Sequence, residues 1–319
     1  MPAGGQGFAR PVPPGGYHWW YADAISDCGR FAFTVIAFVG SVFSPYYHWS
    51  GRRRPENHVA FNIALYAPGR NFWAMTERGV TSLTRDAKRL TIGDSSMEMA
   101  DGRLSIRFNE TALPWPGQRA WPTPISGSID IMSKSVCGEV FSLDEAGHHF
   151  WSPRMAKASA SIACSALPGG GWRGRAYHDM NFGDRPVEED FIGWDWARGS
   201  ESPEDDTVIL YDALLRGGGR KRLALQTDGQ ELRRIGMPHR RNLPRGFWGV
   251  RCGVPCDDDR SAVITRRLED SPFYMRSIVD TVVNGRRLHM VHETLDCVRL
   301  GNPLVRLMLP FRMPRRTGR

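Results

Sequence analysis

No apolar run in this 319-residue chain is long enough to cross a bilayer as a helix. The longest, Phe31 to Phe43, spans 13 residues where about 18 to 20 are needed, and its β-branched and aromatic content suits a buried strand. Cysteine is sparse and scattered: of the six, Cys28, Cys137, Cys164, Cys252, Cys256 and Cys297, only Cys252 and Cys256 are close, and they lack a second pair at zinc spacing. No secretory signal is read ahead of them, so reduced thiols in a cytoplasmic compartment are expected. A phosphate-binding loop is missing too, because Gly169 to Gly171 and Gly217 to Gly219 lack the strand, Lys and Ser or Thr context. His289-x-x-His292-Glu293 has the look of a metal site, but residues three apart on a strand face opposite ways. Neither a cofactor nor a metal is expected. Helical periodicity rarely lasts beyond two turns.

What is present in quantity is positive charge and short strands. Lys and Arg number 42 against 34 Asp and Glu, giving a net charge of +8 and a pI near 9.4. The basic residues stand singly or in short groups without a nucleic-acid motif, so the balance points to the anionic face of a membrane and not to nucleic acid. Turn pairs Asp101-Gly102, Asp228-Gly229 and Asn284-Gly285 each separate two strand-like segments and tolerate the positive φ of tight hairpins. The expectation is an all-β protein of two antiparallel barrels in tandem, each of about eight strands. Residues 1–16, rich in Gly and Pro, read as a flexible arm, 17–167 as the first barrel and 168–319 as the second, with the joint at Pro168 to Gly171. The tail PLVRLMLPFRMPRR interleaves Leu, Met and Phe with Arg. It suits either a closing segment packed on a barrel or a patch resting on a lipid surface, and Pro310 and Pro314 oppose one long helix.

The segment Tyr177-His178-Asp179-Met180-Asn181 carries the chemistry. Read as a strand, it puts Tyr177, Asp179 and Asn181 on one face, and a little further on Trp194 and Trp196 share a face with each other, with Asp195 opposite as a structural acid. A carboxyl buried among aromatic rings resists ionisation and can act as a proton donor near neutral pH. Taken alone, Asp179 reads first as a structural carboxylate paired with Arg175 or Arg185. Asp23, within WWYAD, and Glu77, within AMTERG, could either line the site from the first barrel or be buried structural acids, and the second is the expectation.

Several blocks then agree in order: GGYHWWYADAISDCGRFAFTVIAFVGSVFSPYY, FNIALY, FWAMTERG, HHFW, YHDMNFGDRP, FIGWDWAR and LMLPFRMPR. From about Gly16 to Pro314 the chain resembles the carotenoid 1,2-hydratases, or hydroxyneurosporene synthases, of photosynthetic bacteria. The resemblance implies lipocalin-like barrels and a cofactor-independent hydro-lyase that adds water to the terminal double bond of an acyclic carotene such as neurosporene or lycopene. It also implies catalytic roles for a His-x-Trp pair, which falls on His149 and Trp151, and for a Tyr-x-Asp pair, which falls on Tyr177 and Asp179. His148 lies beside His149, but only His149 stands two before Trp151.

An unactivated alkene must be protonated before water can attack it. Asp179 delivering a proton to C2 leaves the charge on tertiary C1, where water adds. Trp151, Tyr177, Trp194 and Trp196 are the expected aromatic faces for the cation, at about 0.5 to 2 kcal/mol each. His149 is expected either to orient the acid or to accept a proton from water. The expected partners are the carotenoid, water and the inner photosynthetic membrane, touched peripherally from the cytoplasm. A lipocalin-like carrier without catalysis, or a membrane-bound structural module, would use the same lining and tail.

Overall fold

Alternating side chains build strands through most of the chain, and the computed structural model, which describes residues 7–258 and 261–316, arranges them in two units. The first comprises Met1–Ser142, Gly147–Pro186 and Met308–Arg319, and the second Leu143–Ala146 and Val187–Leu307. Strands of the first unit are β1 (Tyr17–Ser26), β2 (Ala32–Val39), β3 (Val59–Ala67), β4 (Arg70–Arg78), β5 (Leu83–Arg85), β6 (Arg89–Ile92), β7 (Ser95–Ala100), β8 (Arg103–Ala112), β9 (Thr123–Met132), β10 (Phe141–Ser142), β11 (His149–Ala163) and β12 (Gly171–Gly183). The second unit holds β13 (Phe191–Ser200), β14 (Thr207–Leu215), β15 (Arg220–Thr227), β16 (Leu232–Arg234), β17 (Arg240–Asn242), β18 (Gly253–Pro255), β19 (Val263–Asp270), β20 (Tyr274–Val283) and β21 (Arg286–Asp296). A last strand, β22 (Arg315–Arg316), returns to the first unit.

The protein is all-β and lipocalin-like, as the turn pairs and alternation predict, but its strands are shared unevenly. The first sheet has 13 strands, in the order β22-β4-β3-β2-β1-β12-β11-β9-β8-β7-β6-β5 with β10 beside β11, and the second has seven, β16-β15-β14-β13-β21-β20-β19. The first sheet curls on itself. Leu113, just past β8, donates its N–H to the Trp73 carbonyl of β4 at 2.8 Å, and the buried Arg78 of β4 reaches Glu110 of β8 at 2.8 Å. Two of the expected hairpins form with positive φ at both turn residues, Asp101-Gly102 and Asn284-Gly285.

Three expectations are corrected. The joint lies at Pro186 and Val187, not at Pro168, because β12 hydrogen-bonds to β1 and β11 along its length and so completes the first sheet. Residues 1–6 of the expected arm lie outside the described residues, and from Gly7 onward the segment is packed: Phe8 is buried against Trp20, and Arg85 donates to the carbonyls of Phe8 and Arg10. Pro310, read as opposing a long helix, sits inside a helix of ten residues. Pro303–Arg312 is a helix, α1 here, that contains Pro310, and after it Arg315 pairs with Glu77 of β4 in parallel register. The Arg315 guanidinium meets the buried Glu77 carboxylate, which His58 Nδ1 also contacts at 2.7 Å, and donates to the Asn57 carbonyl at 3.0 Å. Glu77 is thus a structural acid, as read from the sequence.

The central strands have two unlike faces. One is apolar and packs a core from Trp20, Ala22, Phe33, Val35, Phe61, Ile63, Met180 and Phe182, where each fully buried large side chain contributes about 1.5 to 3 kcal/mol. His178 stands on this face too, buried, with Nδ1 donating to the Tyr21 carbonyl at 2.7 Å. Burial lowers its pKa from 6.5 to about 4. Between those values the unfolded chain binds a proton that the folded chain does not, so stability falls as pH drops through that window. Denaturant melts at pH 7 and pH 4.5 are expected to lose on the order of 2 to 3 kcal/mol through this group. His178→Gln should flatten the dependence, and equal slopes in the two proteins would place the loss elsewhere.

Candidate active site

The opposite face of the same strands carries the polar groups. β12 lies between β1 and β11, and its register sets Tyr17 opposite Gly183, Trp19 opposite Asn181, Tyr21 opposite Asp179 and Asp23 opposite Tyr177. On the other side His149 stands opposite Gly183 and Trp151 opposite Asn181. Directly paired residues share a face, so the period of two gathers Tyr17, Trp19, Tyr21, Asp23, His149, Trp151, Tyr177, Asp179 and Asn181 on one surface. All of them except Trp19 are buried.

Asp179 is the focus of that surface. Its Oδ2 accepts the indole N–H of Trp151 at 2.8 Å and the phenol O–H of Tyr177 at 3.0 Å. An indole nitrogen is a donor only, so Oδ2 is held as an acceptor and the acidic proton, when present, belongs on Oδ1. Both donors strengthen as negative charge builds on the carboxyl, which is the charge left behind by proton transfer to a substrate. Phe141 packs its ring 5.5 Å from that of Trp151, and Tyr21 lies 6.3 Å from Tyr177. The β11 to β12 pairing shifts register after Ser152 and again after Met155, bulges that bend the strand just beyond Trp151.

His149 sits at the end of the row. Its Nδ1 shares a 2.9 Å hydrogen bond with the Tyr17 hydroxyl, and the two rings stack at 5.8 Å. Glycine at 183 makes the contact possible, since a Cβ there would stand 2.9 Å from His149 Nδ1 and 2.8 Å from the Tyr17 ring. His148 turns away to the exposed carboxylate of Asp184 at 2.9 Å, which leaves His149 as the histidine on the site face.

Of the residues expected from the sequence, His149, Trp151, Tyr177 and Asp179 are brought together on one face. Trp194 and Trp196 are not on it: they stand on β13, in the sheet of the second unit, with Trp194 packed near Phe191 and Tyr211. Asp195 between them is bound by Arg240 at 2.6 Å, Thr294 at 2.6 Å and the Gly253 N–H at 3.0 Å. Burial alone would push its carboxyl up, but these partners and His292 outweigh it and hold the pKa below the usual aspartate value. His289 and His292 part as the strand geometry requires, the first to Asp280 and the second, through Nε2, to the Gly253 carbonyl. Sequence reading passed over Tyr17 and Tyr21 and took Asp23 for a structural acid. The signal was there in Tyr21-x-Asp23, the same spacing as Tyr177-x-Asp179.

Comparison with known proteins gives the family. The family model described as carotenoid hydratase CrtC matches residues 35–319. An acyclic carotenoid 1,2-hydratase of Thiocapsa roseopersicina is 40% identical, over 99% of this chain and 77% of that protein. One of the same name from Rubrivivax gelatinosus is 39% identical over 97% of this chain and 76% of its own, and one from Cereibacter sphaeroides 36% identical over 89% and 99%. Two solved structures share the fold alone, each with a TM-score of 0.54 at 12% identity. They are an AttH from Nitrosomonas europaea, over 88% of this chain and 91% of that one, and CghA with Sch210972, over 92% and 94%. With a family match across most of its length and relatives of this closeness, the chain belongs to the carotenoid hydratase family of hydro-lyases.

Proposed function

We propose that this chain adds water across the terminal C1–C2 double bond of an acyclic carotenoid such as neurosporene or lycopene, giving a tertiary 1-hydroxy product, with Asp179 as the acid. The observation that carries the reading is the convergence of the Trp151 N–H and the Tyr177 O–H on one oxygen of a buried carboxyl. The neutral acid hands its proton from Oδ1 to C2, and the new carboxylate is met by two donors already aimed at it. The cation forms at C1, the more substituted carbon, beside the faces of Trp151, Tyr177 and Tyr21, each offering about 0.5 to 2 kcal/mol of attraction. Water then adds at C1 and loses a proton. His149, anchored by Tyr17, holds the far end of the polar row in place.

The substrate dissolves in lipid, and α1 supports a peripheral contact with it. No helix among the described residues is long and apolar enough to cross a membrane. On α1, however, Leu304, Leu307, Met308 and Phe311 recur at helical spacing and are 71%, 60%, 43% and 84% exposed. Arg312 on the same helix and Arg316 beyond it supply positive charge, whereas Arg306 and Arg315 are paired with Glu188 and Glu77. An apolar stripe bordered by arginine suits the interface of an anionic bilayer, where each basic residue adds about 1 kcal/mol.

Incubation of the purified protein with lycopene and ¹⁸O-labelled water, without added cofactor, should give labelled 1-hydroxy product; pigment bound and recovered unchanged would mean a carrier. Asp179→Asn is expected to abolish turnover while pigment still binds, and near-normal activity would remove it as the acid. Trp151→Phe and Tyr177→Phe each delete one donor and should lower kcat by roughly 10²- to 10³-fold, as loss of a donor to developing charge does elsewhere. For the membrane contact, the triple variant Leu304→Ser, Leu307→Ser, Phe311→Ser should lose sedimentation with anionic vesicles while staying folded. Unchanged sedimentation would rule out α1 as the contact.

A further inference from the structure

The Tyr-x-Asp pair of β12 faces a second one on β1. Tyr21 donates its hydroxyl to Asp23 Oδ2 at 2.8 Å, as Tyr177 does to Asp179 Oδ2 at 3.0 Å. The strands are antiparallel and in register, so Tyr21 lies opposite Asp179 and Asp23 opposite Tyr177. The result is a square of two phenols and two carboxyls, each phenol bonded along its own strand and facing a carboxyl across the gap. Asp23 is 1% exposed and stands on the site face, among groups that carry the proposed chemistry.

We propose that Asp23 is a second catalytic carboxyl, the base that takes a proton from the attacking water after Asp179 has protonated the alkene. The inference rests on the reading of Asp179 as the acid. Diagonal neighbours on adjacent strands have backbones about 7 to 8 Å apart, so the two aspartates share one face at neighbouring positions, one to protonate a substrate and the other to address a water beside it. His149 is the other base suggested by sequence, and distance decides against it. It stands opposite Gly183, four residues along β12 from Asp179, or about 13 Å at the strand rise. The steps balance. The O–H bond of Asp179 breaks as a C–H bond forms at C2. The water oxygen then bonds to C1 while one of its protons passes to the Asp23 carboxylate. Asp23 finally releases that proton to solvent and Asp179 takes one up at Oδ1, so nothing is consumed except the alkene and water.

This division of labour separates two observables. Protonation by Asp179 followed by return of a proton exchanges hydrogen at C2 with solvent, and needs no second carboxyl; hydration does. In deuterated water, Asp23→Asn should lose at least 100-fold in hydration and still leave deuterium in the recovered carotenoid. Asp179→Asn should show neither. Hydration within a few-fold of wild type in Asp23→Asn would overturn the proposal, as would loss of both reactions in a folded, pigment-binding Asp23→Asn protein, since Asp23 would then act before or apart from water capture. Should Asp23→Asn not fold, Asp23→Glu keeps the charge and displaces it by one methylene. Its ratio of exchange to hydration should rise several-fold, and an unchanged ratio would overturn the proposal. Activity surviving in Asp179→Asn would instead break the reading beneath it, an outcome distinct from all of these.

Discussion

Strand register across β1, β12 and β11 is the constraint on which the site depends. Trp151 and Tyr177, the donors to Asp179, and the facing Tyr21 and Asp23 all come from these three strands, at positions fixed by pairing. A slip of one residue on β12 would turn Tyr177 and Asp179 into the apolar core and bring His178 to the polar face. The pairing is protected because the alternate positions, Ala176, Met180 and Phe182, are buried in that core and would have to surface. Packing on one side of the sheet therefore holds chemistry on the other.

Burial gives these contacts their worth. A single hydrogen bond to a surface carboxylate is exchanged with water at little net gain, whereas two donors converging on a buried oxygen have no solvent competitor. Trp151 serves twice here, as a proton donor along its ring plane and as an aromatic surface beside Phe141. Tyrosine at 21 and 177 does the same. Each residue offers polarity to the carboxyls through its tip and a cation-tolerant face through its ring.

Local patterns made the fold class, and the placement of His149, Trp151, Tyr177 and Asp179 on shared strand faces, legible in the sequence. The period of two placed Tyr177 with Asp179 and His149 with Trp151, and turn dipeptides marked hairpins that the structure contains. Long-range partners left no such mark. β11 runs for 15 residues, yet after Trp151 it is mostly Ser and Ala with Pro153, Arg154 and Lys157 among them, a composition that does not announce a strand and is held extended by β9 and β12. The boundary was misplaced for the same reason: the Gly-rich turn at Pro168 is only the link between β11 and β12, and what assigns β12 to the first unit is its pairing with a strand 150 residues earlier, which no local window contains. Asp23 read as a structural acid because its facing partner, Tyr177, lies on a strand far away in sequence. Trp194 and Trp196, adjacent to the motif in sequence, belong to another sheet.

Arg315 and Glu77 are 238 positions apart, and their meeting sets an order on assembly. A ribosome makes β1 to β4 long before it makes the arginine that neutralises Glu77 inside them. Until β22 docks, a carboxylate already enclosed by the sheet waits for its guanidinium. Until then His58, made well before it, is the partner the buried Glu77 has, and the last strand of the first sheet is also the last to be made.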